Sequence, residues 1–145
     1  MREHMGIFRG KRTDNGEWVE GFYAHFKDLY KDKETHRIYT PFAESDCGEF
    51  YPDWYEVDPT TIGECTSHKD KNGKWIFEGD IVRCVARLDE ANCVVIYEQG
   101  EFRLVPERYY KTYVTGGGYH ALRCFDKEII GNIYDNPELL KGGEG

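Results

Sequence analysis

Most of the chain alternates apolar and polar residues with a period of two and is broken by short Gly-containing turns, the pattern of half-buried strands rather than helices. "GIFRGKR" and "EWVEGFYAHF" read as two strands joined across Thr13-Asp14-Asn15-Gly16, where Asn-Gly supplies the positive φ of a tight hairpin turn. "KDLYKDKETHRIYT" has a polar middle between apolar ends and predicts a third strand, a charged loop and a fourth strand near Arg37-Ile38-Tyr39. Further on, the pattern predicts a turn at Asn72-Gly73, strand residues in "KWIFEGDIVRCVAR" and a short acidic turn at Asp89-Glu90. A hairpin of Asn92–Tyr97 with Glu101–Val105 follows, then a terminal strand in "EIIGNIYDNPELL". Asp58-Pro59 and Asn136-Pro137 each place a capping side chain before a Pro, which predicts two short helical turns.

One device is written twice. "KRTDNGEWVEGF" and "KDKNGKWIFEGDIVR" both run from charged residues through Asn-Gly to a Trp and then Glu-Gly. In each copy Asn-Gly is expected to make the turn, Trp to open the outgoing strand on its buried face, and Glu-Gly to let that strand bend or bulge. The repetition supports a β architecture and carries no chemistry.

Composition agrees with strands and tight turns: 15% of residues are aromatic and sixteen are Gly. A single domain of 145 residues would bury about 68–70% of the surface its unfolded chain exposes, so it folds without staples. The reading divides the chain into an N-terminal strand region (1–56), a second strand-rich region (57–141) and a short tail (142–145), the two regions being separate domains or one compact unit. No apolar run approaches the length of a membrane helix, and "MREHMGIFRG" lacks the apolar centre of a signal peptide. The expected location is therefore the cytoplasm, with no membrane contact.

Charge narrows the partners. The net charge is −8, divided evenly, with eight basic against twelve acidic side chains in residues 1–56 and eleven against fifteen in 57–145. Binding a phosphate backbone needs clustered Lys and Arg, so nucleic acid is disfavoured as a partner. Arg9, Lys11 and Arg12 are the local exception and read as a solvated turn. Five Cys (47, 65, 84, 93 and 124) in a chain without an export signal read as reduced thiols. Cys84 and Cys93, on apolar strands, read as small buried hydrophobes.

The stretch "ESDCGEFYPDWYEVD", from Glu44 to Asp58, mixes six carboxylates with Phe50, Tyr51, Trp54 and Tyr55. It reads as a partner-binding loop whose aromatics are anchors, or as a connector whose aromatics cover one end of the core. Cys65, His68, His120 and Cys124 have spacings that a four-ligand zinc site could use if the strand around 62–66 paired with the terminal strand. Each half supplies only one Cys and one His, and no metal or other cofactor is expected. Phosphate-loop, nucleophile-elbow and zinc-protease motifs are absent, so no catalytic residue is assigned. An enzyme with a dispersed site would need His25 or His36 beside the carboxylates of 44–58.

The segment "YEVDPTTIGECTSHKDKNGKWIFEGDIVR" resembles the signature stretch of the YopX family. "FRGKRTDNGEWVEGF", "VVIYEQGEFRL" and "IIGNIYDNPELL" agree with it in order along the chain. The resemblance implies an all-β protein whose second half is similar to an SH3-like barrel, encoded by phages or prophages, and it implies no particular reaction. Cys65 and His68 stand where the family has other residues. In SH3-like barrels a Glu-Gly-Asp run enters a core strand, which assigns Glu78, Gly79 and Asp80, with Asn72 and Gly73, to turn structure. The expected function is therefore non-catalytic binding to another protein or to a second copy. The alternative is a nucleic-acid-associated protein that uses the barrel face.

Overall fold

The computed structural model describes residues 6–40, 53–86, 89–110, 120–121 and 126–140. They are all-β, with antiparallel pairing throughout and helical geometry only in short turns. The strands are β1 (Phe8–Lys11), β2 (Trp18–Asp28), β3 (Lys33–Thr40), β4 (Asp53–Glu56), β5 (Gly63–Lys69), β6 (Trp75–Phe77), β7 (Asp80–Ala86), β8 (Asp89–Glu98), β9 (Glu101–Pro106), β10 (His120–Ala121) and β11 (Asp126–Asn132). The chain forms two compact units, Met1–Cys65 and Thr66–Gly145.

In the first unit the strand order is β4-β3-β2-β1, with the opening residues of β5 against β1. The β1–β2 hairpin closes as the sequence predicts. Gly16 has φ +73° and donates to the Arg12 carbonyl, and the Asn15 side chain accepts from the Glu17 N–H. The expected third strand is the continuation of β2, which runs unbroken to Asp28. The charged loop shrinks to a turn, because Lys33 and Glu34 already pair in β3 with Asp28 and Lys27. Ile38 and Val57 are fully buried beneath Gly10, and each such side chain contributes about 1.5–3 kcal/mol. Asp58 caps the 3-10 turn Pro59–Thr61 by accepting from the Thr60 N–H.

In the second unit the sheet order is β10-β9-β8-β7-β11, and the closing residues of β5 lie beside β6. Its core is Ile76, Val82, Cys84, Cys93, Val95 and Leu104, so the reading of Cys84 and Cys93 as buried small side chains holds. The β8–β9 hairpin turns through Gln99 and Gly100, both at positive φ, between the paired residues Glu98 and Glu101. Asp89 and Glu90 pair in β8 with Ala86 and Val85, rather than forming a turn.

The two copies of the repeated device differ in what their Gly-containing pair does. Gly79 has φ +91°, its N–H donates to the Val95 carbonyl and its carbonyl accepts from Ile133. Asp80, nearly fully buried, accepts from the Phe77 N–H at 2.7 Å, so Glu78-Gly79-Asp80 is the turn the sequence predicts. Gly21 instead sits within β2 in regular register with Phe8, and no bulge forms there. Trp18, too, stands on the face away from Ile38 and Gly10. It is half-buried there, with the Arg9 and Lys11 cations 4.7 and 5.4 Å from its ring centre. Gly79→Val is expected to cost about 1–3 kcal/mol, because a β-branched residue resists positive φ. Denaturant midpoints of the two proteins check this, and equal midpoints would contradict it.

Candidate functional site

Register places an aromatic row across the first unit's sheet. Phe22 on β2 is opposite Tyr39 on β3, which is opposite Trp54 on β4. Opposed residues in antiparallel strands share a face, and period two along β2 brings Trp18 and Phe26 to that face as well. Phe22 and Trp54 are 51% and 48% exposed, unusual for side chains of that size. Trp54 therefore lies on an edge strand rather than in a loop. Tyr55 points to the opposite face, half-buried, with the Arg12 guanidinium 4.0 Å from its ring centre. Phe50 and Tyr51 lie outside the described residues.

Beside the row runs Ala24–Arg37–Glu56. The Arg37 guanidinium lies 3.7 Å from the Trp54 ring centre and 5.0 Å from that of Phe26, so two rings flank one cation. Such contacts fix the orientation of a long side chain at a stabilisation of about 0.5–2 kcal/mol. The tip of the β2–β3 hairpin adds Leu29 and Tyr30, both almost wholly exposed above an Asp28 carboxylate that accepts from the Tyr30 and Lys31 N–H groups. The sequence reading passed over Phe22, Phe26, Arg37 and Tyr39. The spacing Trp18-x3-Phe22-x3-Phe26 signalled three aromatics on one face, but the row to Tyr39 and Trp54 requires the register.

The opposite face of the same hairpin carries the two histidines. The His25 and His36 rings stack 4.2 Å apart, Tyr23 Oη lies 2.6 Å from His36 Nδ1, and His25 Nε2 lies 2.7 Å from Glu34. Burial raises the Tyr23 phenol above its ordinary range. The carboxylate drawn to this row is Glu34, whereas Glu56 binds Lys33 and Asp58 binds Thr60. Glu44, Asp46 and Glu49 lie outside the described residues, and no nucleophile with a base and a cleft is assembled among the described ones.

The pairing on which the zinc geometry depended does not form. β11 pairs with β7, Ile129 opposite Val82, while Gly63 and Glu64 pair with β1. Cys65 is buried in the first unit and its N–H donates to the Ile7 carbonyl; His68 is exposed near the end of β5. The His120 backbone pairs with Leu104, and the His120 side chain and Cys124 lie outside the described residues. No group of three His, Cys, Asp or Glu suited to a metal occurs among the described residues.

In the second unit a buried carboxylate organises the Asn72-Gly73 turn. Asp70 Oδ1 accepts from the Asn72 and Lys74 N–H groups, and Oδ2 accepts from the Ile129 N–H of β11 at 3.1 Å. The Lys71 N–H donates to the Lys127 carbonyl. Part of the outer edge of β11 is thereby covered, which removes a template for unwanted strand pairing. This role is structural.

No helix among the described residues is long and apolar enough to cross a membrane. Among solved structures, the crystal structure of protein EF1440 from Enterococcus faecalis is similar to this chain, with TM-score 0.55 and 24% identity, covering 94% of this chain and 99% of that one. At that identity the likeness shows the fold alone. No curated protein matches. Residues 7–141 match the YopX protein family, so nearly the whole chain is accounted for, in agreement with the ordered segments read from the sequence, and the chain belongs to the YopX family.

Proposed function

We propose that this YopX-family chain is a non-catalytic β module, a phage or prophage accessory protein of the host cytoplasm, that binds another protein or a second copy of itself. The observation that carries the reading is the row Phe22–Tyr39–Trp54, two of its three rings half-exposed on an open sheet face. Aromatic side chains and Arg are the residue types that dominate binding energy when a partner desolvates them. The five-stranded sheet of the second unit, a β7-to-β10 meander with β11 returning beside β7 and entered through Glu78-Gly79-Asp80, supports an SH3-like reading of that half as scaffold.

A single-stranded nucleic acid could use the same rings as a stacking platform. The net charge of −8 weighs against it, because counterion release needs an excess of cations. Affinity capture from host lysate, alongside titration with duplex and single-stranded DNA at physiological salt, separates the two. Trp54→Ala is expected to weaken capture by about 2 kcal/mol or more, the cost of losing a central aromatic anchor. Tight DNA binding with no captured protein would overturn the proposal. Capture that survives loss of Trp54 and Phe22 together would move the interface elsewhere.

A further inference from the structure

We infer that the partner presents a carboxylate-rich segment to this face, with a side-chain carboxylate received by Arg37 and a neighbouring apolar side chain laid over Phe22 and Trp54. The inference rests on the reading that this face binds protein, and it adds the partner's chemistry.

The argument begins with the charges on the face. Arg9, Lys11, Lys33 and Arg37 share it with Glu20, Asp28 and Glu56 by strand register. Two of the acids are engaged: Glu56 holds Lys33 at 3.2 Å, and Asp28 accepts two backbone N–H groups of its own turn and feels the Arg37 charge. Glu20 is exposed, opposite Arg9 in the register. Arg37 is directly opposite Glu56, yet that carboxylate is turned to Lys33, and no carboxylate lies within ion-pair distance of Arg37 among the described residues.

The guanidinium is nonetheless half-buried and fixed. Phe26 and Trp54 flank it, its Nε is buried without a hydrogen-bond partner, and its one side-chain hydrogen bond is a long 3.5 Å contact from Nη1 to Tyr39 Oη. Two residues away on the same strand face, Thr35 is 3% exposed and its Oγ1 also lacks a partner. Arg37 is a half-buried cation that acts on the Asp28 carboxylate without forming an ion pair, and an incoming carboxylate that reaches the guanidinium fork supplies the missing pair. The guanidinium fork suits a carboxylate bidentately, and the two rings have already removed much of the rotamer freedom that binding would otherwise cost. The apolar half of the site is the exposed edge of the aromatic row. A partner with acidic and apolar residues side by side therefore satisfies both halves, whereas a basic partner would meet the Arg37 cation.

The test uses the full chain and three pools of short peptides with the same apolar residues and acidic, neutral or basic flanks, together with an oligothymidylate, read by fluorescence polarisation. The acidic pool is expected to bind most tightly. Arg37→Ala should weaken it by at least about tenfold, and Arg37→Lys, which keeps the charge and loses the fork, should recover only part. Thermal melts of each variant accompany the titrations, and Arg37→Lys carries the test if Arg37→Ala melts early. If the neutral or basic pool binds as well as the acidic one, or if Arg37 variants bind like wild type while Trp54→Ala does not, the acidic partner is wrong and the binding face stands. Failure of the acidic pool to bind also overturns the inference. Oligothymidylate bound more tightly than any peptide, and lost in Trp54→Ala, would overturn both.

Discussion

Asp70→Ala is expected to destabilise the protein by about 3 kcal/mol, with a larger loss near neutral pH than in acid. Three backbone N–H groups, those of Asn72, Lys74 and Ile129, lose their acceptor at once. Each unsatisfied buried donor costs about 1–3 kcal/mol, and the exposed positions of Asn72 and Lys74 let water recover part of that. The pH dependence follows from the carboxyl itself. Burial works against its charge but is outweighed by the N–H groups of Ile129, Lys74 and Asn72 and by the Lys74 charge, so it is held below the ordinary carboxylate range. A carboxyl depressed in the folded state contributes stability above its unfolded value, and that contribution is lost as pH falls through the folded value. Wild type should therefore lose stability in acid more steeply than Asp70→Asn. Urea midpoints at neutral and acid pH for wild type, Asp70→Ala and Asp70→Asn measure this. Parallel acid limbs in all three would remove Asp70 from the account.

Gly21→Val is expected to cost about 3 kcal/mol or more, among the largest effects of any single change in the first unit. A Cβ at this position would fall 2.2 Å from the Tyr39 carbonyl oxygen and 2.9 Å from its carbon. Both are backbone atoms of the paired strand, so relief requires β2 and β3 to separate rather than a side chain to rotate. Separation would also break the register that brings Phe22 opposite Tyr39. Gly21→Ala should move in the same direction. Thermal denaturation with near-ultraviolet circular dichroism reads both stability and aromatic packing, and an unchanged melting midpoint for Gly21→Val would contradict the close approach.

The strands and turns were largely legible in the sequence because each rests on local chemistry. Asn15-Gly16, Asn72-Gly73, Gln99-Gly100 and Asp58-Pro59 dictate their turns from two or three neighbouring residues. What failed locally was the extent of β2 and β3, since Lys27, Lys33 and Glu34 look like loop residues until cross-strand pairs place them. Gly21 and Gly79 look alike as letters, yet one answers to a carbonyl on another strand and the other to its own φ. Asp70 and Arg37 escaped for the same reason. The partners of Asp70 include Ile129, far along the chain, and the exceptional feature of Arg37 is that its opposed carboxylate is bound elsewhere. Trp54 was legible as an anchor, but its row with Tyr39 and Phe22 required the register of three strands.

The most direct measurement of the central claim is hydroxyl-radical footprinting of the first unit's aromatic residues in the protein alone and in the complex recovered by capture. Phe22 and Trp54 should be readily modified in the free protein and protected in the complex, while Tyr97, exposed in the second unit, stays equally reactive in both. Unchanged modification of Phe22 and Trp54 in a complex that protects other residues would contradict the assignment of this face as the binding site.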